Sequence, residues 1–201
     1  MKKLIFYILL IFFTLHANAQ VKENLKIPKN PKIGLSLSGG GAKGFAHVGV
    51  LKVLDSLGVK VDYISGTSMG AIVGGLYASG YTGKDIEKII LDTDFYNLIS
   101  NQNNRAESSF FNKSVDKYLL KVPIKNGKAT LPTSISSGQK NLYLLKELFK
   151  NVSNINDFSK LPIPFMCVAT NLETGKIKIF ENGDLSESIL ASSAFPSLMD
   201  P

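Results

Sequence analysis

The five residues Gly66-Thr67-Ser68-Met69-Gly70 constrain this chain more than any other stretch of it. Val61 to Ser65 before them is a short β-branched strand candidate, and Met69 to Ser79 reads as a helix rich in small residues. A serine held in the bend between such a strand and such a helix sits on strained backbone. The residues two before and two after it pass each other with no room for a Cβ, so both are glycine. The bend lifts the hydroxyl out of the sheet and onto the positive end of the helix. That dipole favours a developing alkoxide by about 0.3–1 kcal/mol. As a bare pattern the motif says little, and the flanking strand and helix give it meaning.

A second glycine cluster precedes it. Ile33 to Ser38 is a β-rich run that stops at Gly39-Gly40-Gly41-Ala42-Lys43-Gly44. Three glycines in a row leave backbone N–H groups uncovered, able to converge on one anionic atom. A tetrahedral intermediate of acyl transfer carries such an atom, and losing one donor typically costs about 2.7–4 kcal/mol. Gly39, Gly40, Gly41, Ala42, Lys43 and Gly44 are therefore the candidate oxyanion hole. Ser68 is the candidate nucleophile, with Gly66, Thr67, Met69 and Gly70 forming its elbow.

From Lys32 onward strands alternate with helices. Phe45 to Leu57 places Val50, Leu51, Leu54 and Leu57 at helical spacing, with His47 on the same stripe, and Gly58 is its C-cap. Thr82-Gly83-Lys84-Asp85 opens a third helix with a capping box. Asn126-Gly127, between Tyr118–Ile124 and Lys128–Leu131, marks a hairpin. Asn141 to Lys150 is an amphipathic helix and Ile163 to Thr170 a buried strand. A turn at Glu173-Thr174-Gly175 leads to a strand from Lys176 to Phe180. Asp184 caps a last helix that reaches Ala194 and is stopped by Pro196. The expectation is an α/β three-layer sandwich around a mostly parallel central sheet. Ligands of such sheets bind beyond the carboxyl ends of strands, where both glycine motifs fall.

The glycine loop also satisfies G-x-G-x-x-G, which opens a rival reading as a dinucleotide-binding enzyme. That fingerprint wants an acidic residue ending the second strand. Asp62 is at about the right distance but stands at the start of the strand rather than its end. Lys43 is followed by Gly44 rather than Ser or Thr, so the loop is no P-loop either.

The first residues read separately. Lys2 and Lys3 precede the apolar run Leu4 to Leu15, and Ala17-Asn18-Ala19 supplies a small-x-small cleavage signature before Gln20. Residues 1–19 are expected to be a signal peptide, exporting the chain to the periplasm, the outer membrane or the medium. A retained membrane anchor is the alternative. Residues 20–31 are polar with two prolines and read as a linker, and 32–201 as one domain. Loss of Lys2 and Lys3 would lower the net charge from +7 to +5. The remaining lysines are scattered, without the basic stripe that a nucleic acid demands. Mild basicity suits an anionic lipid surface. Cys167, the single cysteine, lies in an apolar stretch and reads as a buried small hydrophobe that forms no disulfide within the chain.

Together the two motifs, in this order and at this distance, resemble the patatin-like phospholipase family. The resemblance covers nearly all of residues 32–201. It takes in Lys32-Ile33-Gly34-Leu35-Ser36-Leu37-Ser38 before the loop and Ala46-His47-Val48-Gly49-Val50-Leu51 after it. It also takes in Ala169-Thr170-Asn171-Leu172 and Ala191-Ser192-Ser193-Ala194-Phe195-Pro196. What it implies is a Ser–Asp dyad hydrolysing acyl esters of phospholipids or related lipids at a membrane surface, with no metal and no cofactor. Exported bacterial proteins similar to this one can continue into an outer-membrane barrel.

The base is where the chain departs from that pattern. After the leader, His47 is the only histidine, and it reads as a packing or helix-start residue. The family's aspartate sits in Asp-Gly-Gly or Asp-Gly-Ala, downstream of the Ala-Ser-Ser-Ala-Phe-Pro segment. Asp200 is followed by proline, and Asp184 is better explained as a helix cap. The expectation is therefore an N-terminal fragment whose aspartate lies beyond residue 201, with little turnover of its own. Ser192 and Ser193 read as packing residues, and Arg105, the only arginine, as a solvated loop residue. Phe95, Tyr96, Phe110 and Phe111 read mostly as core, with an acyl cleft as the alternative. A lipid- or partner-binding domain without catalysis is the second functional class. Head group, acyl length and oligomeric state are not legible.

Overall fold

A computed structural model of the chain describes residues 29–95, 98, 124–125, 128–129, 138–196 and 199. The expected leader, most of the linker, the Asn126-Gly127 turn, Arg105, Tyr96, Phe110, Phe111 and Asp200 lie outside them. The chain divides into Met1–Pro31 and Lys32–Pro201, and every element below belongs to the second unit.

Strand β1 (Gly34–Leu37) leads through the glycine loop into a 3-10 helix (Gly41–Phe45) and then α1 (Ala46–Ser56). Strand β2 (Tyr63–Thr67), α2 (Met69–Ala78) and α3 (Gly83–Asp92) follow. Two short strands, β3 (Ile124–Lys125) and β4 (Lys128–Ala129), pair antiparallel across the predicted two-residue turn. Helix α4 (Gln139–Leu148), β5 (Phe165–Thr170), β6 (Ile177–Phe180) and α5 (Leu185–Ser193) complete the described elements, with 3-10 turns at Lys150–Val152 and Phe158–Lys160.

The main sheet has the order β1-β2-β5-β6. Leu37, Gly66 and Cys167 lie side by side where β1, β2 and β5 run parallel, and β6 alone is antiparallel. This is an α/β domain with a parallel-dominated sheet. One face of the sheet is sealed: Leu37, Ile64, Phe165 and Cys167 pack there with Leu51, Val73, Leu76, Phe149 and Ile189. The opposite face carries Ser36, Ser65, Met166 and Val168, which are exposed or half-buried.

Small residues decide how close α2 comes. A Cβ on Gly74 would lie 2.9 Å from Ile64 Cγ2, and one on Gly75 2.6 Å from Ile189 Cδ1. The helix is buried nearly all round, from Gly70 to Ala78 apart from Ile72, as its lack of a polar stripe requires.

The boundary signals act as expected. Thr82 Oγ1 accepts the Asp85 N–H, and Asp85 Oδ2 accepts the Thr82 N–H at 2.9 Å, closing a reciprocal cap. Gly58, at φ 65°, donates to the Asp55 carbonyl while the Val59 N–H reaches Leu54, which is the Schellman closure of α1. Asp184 Oδ1 accepts the Glu187 N–H at 3.0 Å and caps α5. One expectation fails. The buried face of α1 is centred on Val48 and Leu51, while Val50 and Leu57 of the predicted stripe are 53% and 70% exposed. Val48 and Leu51 are spaced i, i+3 like the chosen set. Periodicity alone does not say which of two overlapping apolar stripes meets a neighbour.

Candidate active site

Ser68 is the turn between β2 and α2. Its backbone, at φ 53° and ψ −121°, is the only non-glycine of positive φ among the described residues. A conformation of this kind costs about 1–3 kcal/mol and persists only where its surroundings enforce it. The enforcement is visible. Ala71 and Ile72 donate to the Ser68 carbonyl at 2.9 and 3.1 Å, tying the bend to the first turn of α2. A Cβ on Gly66 would come within 2.5 Å of the Gly70 carbonyl oxygen and 2.6 Å of Ala71 Cα. Gly66 and Gly70 thus pass one another as their spacing predicts. Gly70 answers to a different neighbour as well, since its Cβ would overlap the carbonyl oxygen of Leu37 at the end of β1. That second demand is tertiary.

The glycine loop lies against this bend. A Cβ on Gly39 would sit 3.1 Å from Ser68 Cβ and 3.8 Å from Ser68 Oγ, so the serine side chain faces the loop backbone. The first hydrogen bond of the 3-10 helix runs from the Lys43 N–H to the Gly40 carbonyl at 3.2 Å. The N–H groups of Gly41 and Ala42 precede it, as the opening amides of a helix must, and have no partner within that helix. Gly41 at φ 55° needs its lack of a side chain. Two members of the predicted hole have other work. The Lys43 N–H is already bonded, and Gly44 is small because a Cβ there would lie 2.5 Å from Met69 Cγ. That contact seats the loop on the elbow helix.

His47 stands in the first turn of α1. Its Nε2–H donates to the Ser38 carbonyl at 2.9 Å, clamping the strand end from which the loop departs. A carbonyl can only accept, so the ring nitrogen facing it carries the proton.

A residue read only as packing proves central. The Ser68 N–H donates to Ser192 Oγ at 2.9 Å, and the Ser192 hydroxyl donates to the Val168 carbonyl on β5 at 2.6 Å. The two serines are 124 positions apart, so local patterning carries no trace of the bond. The one available signal was a pair of short polar residues at the end of a helix. Ser193 does keep its plain role, its hydroxyl bonding back to the Leu190 carbonyl.

The described carboxylates are largely committed elsewhere. Asp55 accepts from the Tyr77 hydroxyl and the Gly83 N–H, and Asp62 from the Ile33 N–H. Asp85, Asp157 and Asp184 each hold a helix or turn start. Since β2 ends at Thr67 and is followed by Ser68, no acid stands where a dinucleotide ribose would need one. Cys167 is fully buried, and burial pushes its thiol up to about 12. Phe95 packs on Phe45 with ring centroids 5.0 Å apart. A cavity of about 650 Å³ opens between α3 and α4, lined by Tyr81, Lys88, Ile89 and Leu148 among others, and includes neither the loop nor the elbow.

Chemically, the arrangement offers a hydroxyl on a strained bend, facing the glycine loop at Gly39, at the start of a buried helix. Residues 35–201 match a family model described as patatin-like phospholipase. An uncharacterized NTE family protein of Mycobacterium bovis is 30% identical over 172 residues, covering 86% of this chain and 40% of that protein. The lysophospholipase NTE1 of Lodderomyces elongisporus is 32% identical over 177 residues, 88% of this chain and 10% of that one. The crystal structure of VipD from Legionella pneumophila shares the fold at a TM-score of 0.52 and 20% identity, over 85% of this chain and 43% of that one. The chain spans less than half the length of these relatives.

Proposed function

Because the chain belongs to the patatin-like phospholipase family, we propose that it is the serine-bearing part of a lipid acyl hydrolase. Ser68 Oγ gives its proton to the base and attacks the ester carbonyl of a phospholipid or lysophospholipid; the alcohol part of the lipid leaves with that proton as the acyl group passes to the serine, and water then cleaves the acyl-serine to the fatty acid and the free hydroxyl. The loop amides of Gly41 and Ala42 stabilise the oxyanion of both tetrahedral intermediates. The α2 dipole favours the serine alkoxide.

One observation carries this reading: the strained Ser68 bend faces the Gly39 backbone across 3.1 Å of virtual Cβ contact. Strain at a polar residue, held in place by glycines on both sides, has little value for stability alone. The base of the proposed dyad is an aspartate. Residues 1–201 hold no Asp-Gly-Gly or Asp-Gly-Ala, and Asp55, Asp62, Asp85, Asp157 and Asp184 have structural partners. The proposal therefore seeks it outside these five. Export is proposed on the basic start, apolar run and Ala17-Asn18-Ala19 signature, and a mature N-terminus at Gln20 would bear it out.

The test is labelling of the full-length protein with a fluorophosphonate, followed by peptide mass analysis and fatty-acid release from phosphatidylcholine vesicles. The expected outcome is an adduct on Ser68 and release that Ser68→Ala abolishes. Vesicle binding without an adduct would favour a lipid-binding domain that keeps the fold without the chemistry. That second reading draws on the structural commitments of those aspartates.

A further inference from the structure

We propose that Ser192 is a positioning residue for the nucleophile, and that its hydroxyl removes the Ser68 N–H from the set of oxyanion donors. The inference deepens the hydrolase reading and rests on it.

The hydroxyl of Ser192 has one proton and lone pairs to accept with. The proton is spent on the Val168 carbonyl at 2.6 Å, because a carbonyl cannot donate. What faces Ser68 is therefore a lone pair, and it accepts the Ser68 N–H at 2.9 Å. Both bonds are partly buried, where a donor left without a partner is costly. One side chain from the last turn of α5 thus fixes two neighbouring strand ends. Val168 on β5 stands opposite Thr67 on β2, the residue before the nucleophile.

Two consequences follow for chemistry. First, Ser192 is not placed to act as a base or a second nucleophile, since its proton faces a backbone carbonyl that cannot take it and a lone pair is engaged by the Ser68 N–H. Second, the Ser68 N–H, already given to Ser192, is not open to the oxyanion. The oxyanion is then left to the amides of the glycine loop, of which Gly41 and Ala42 precede the first bond of the 3-10 helix. The strained bend is thereby held from its N–H side by Ser192 and from its carbonyl side by Ala71 and Ile72. Removing the hydroxyl frees the peptide before Ser68 to rotate, which displaces Oγ relative to the loop.

The experiment compares the full-length protein with Ser192→Ala and Ser192→Thr, which removes or keeps the hydroxyl. Steady-state hydrolysis is expected to show kcat lowered on the order of tenfold to a hundredfold in Ser192→Ala at nearly unchanged KM, since small misplacements of a reacting group have that effect. Ser192→Thr should recover most of it. Fluorophosphonate labelling of Ser68 should slow in parallel. Amide hydrogen exchange at Ser68, read by nuclear magnetic resonance, should speed up in Ser192→Ala and not in Ser192→Thr. Unchanged exchange and unchanged kcat in Ser192→Ala would overturn the proposal, as would a loss of kcat that Ser192→Thr does not relieve. A parent protein that takes no label would remove the hydrolase reading instead, and the exchange measurement would then decide the hold of Ser192 on the bend by itself.

Discussion

Gly39 and Ser68 face each other so closely that a methyl group on the first would stand 3.1 Å from Cβ of the second. The pair joins two motifs that lie 29 positions apart in the chain and meet at neighbouring strand ends, with β1 and β2 paired from Gly34–Tyr63 to Leu37–Gly66. In the proposed hydrolase their contact would set how far a substrate carbonyl stands from the hydroxyl and the loop.

Gly39→Ala tests that spacing. The added Cβ is tight against Ser68 but touches no buried backbone closely enough to prevent folding, since Thr67 O is 3.4 Å away. Hydrolysis and fluorophosphonate labelling are expected to fall on the order of tenfold to a hundredfold. The far-ultraviolet circular dichroism should be unchanged. A variant with parental labelling rates would refute the role given to this contact.

Ser68→Gly separates strain from chemistry. Glycine adopts the φ of 53° at no steric cost, so urea unfolding is expected to show a gain of about 1 kcal/mol, the lower end of what such strain stores. Ser68→Ala, which keeps the strain, should show no such gain. Both variants should lose all labelling. A Ser68→Gly protein less stable than Ser68→Ala would mean the bend is not strained.

Gly70→Ala should be far more damaging to the fold than Gly39→Ala. Its Cβ would overlap the Leu37 carbonyl oxygen and lie 2.6 Å from that of Ser38, so β1 would have to move away from α2. Overpacking against backbone here is expected to cost about 3 kcal/mol or more. Soluble yield and the urea midpoint read it directly, and a midpoint within experimental error of the parent would contradict it.

Alkaline pH should weaken the domain through two groups. The Tyr77 phenol is pushed up to about 12, by burial first, then by its hydrogen bond to Asp55 and that carboxylate's charge. The Cys167 thiol is likewise pushed up to about 12 by burial. Both are neutral when protonated, and both lose their protons more easily in the unfolded chain, near 10 for the phenol and 9 for the thiol. Their stabilising contribution is complete below those values and is lost as pH rises toward 12. Urea midpoints measured from pH 8 to 12 should fall more steeply in the parent than in Tyr77→Phe/Cys167→Ala, although the double variant starts lower. Parallel curves would show that these groups do not carry the effect.

The sequence by itself determined the local grammar of this protein. Glycine at 66 and 70, the capping pair Thr82 and Asp85, the cap at Asp184 and the stop at Gly58 act over a few residues. Backbone sterics and short hydrogen bonds are written into such stretches, and the strands and helices appear where those signals put them. Residues 35–201 carry enough of the family pattern to be placed by it. Tertiary structure alone decided which stripe of α1 is buried, why Gly44 must be small beneath Met69, and that His47 clamps Ser38. It alone brought Ser192 to the Ser68 amide. Each of these depends on two segments that meet only after the sheet has assembled, and a contact between distant segments leaves no period or spacing in the chain to be read.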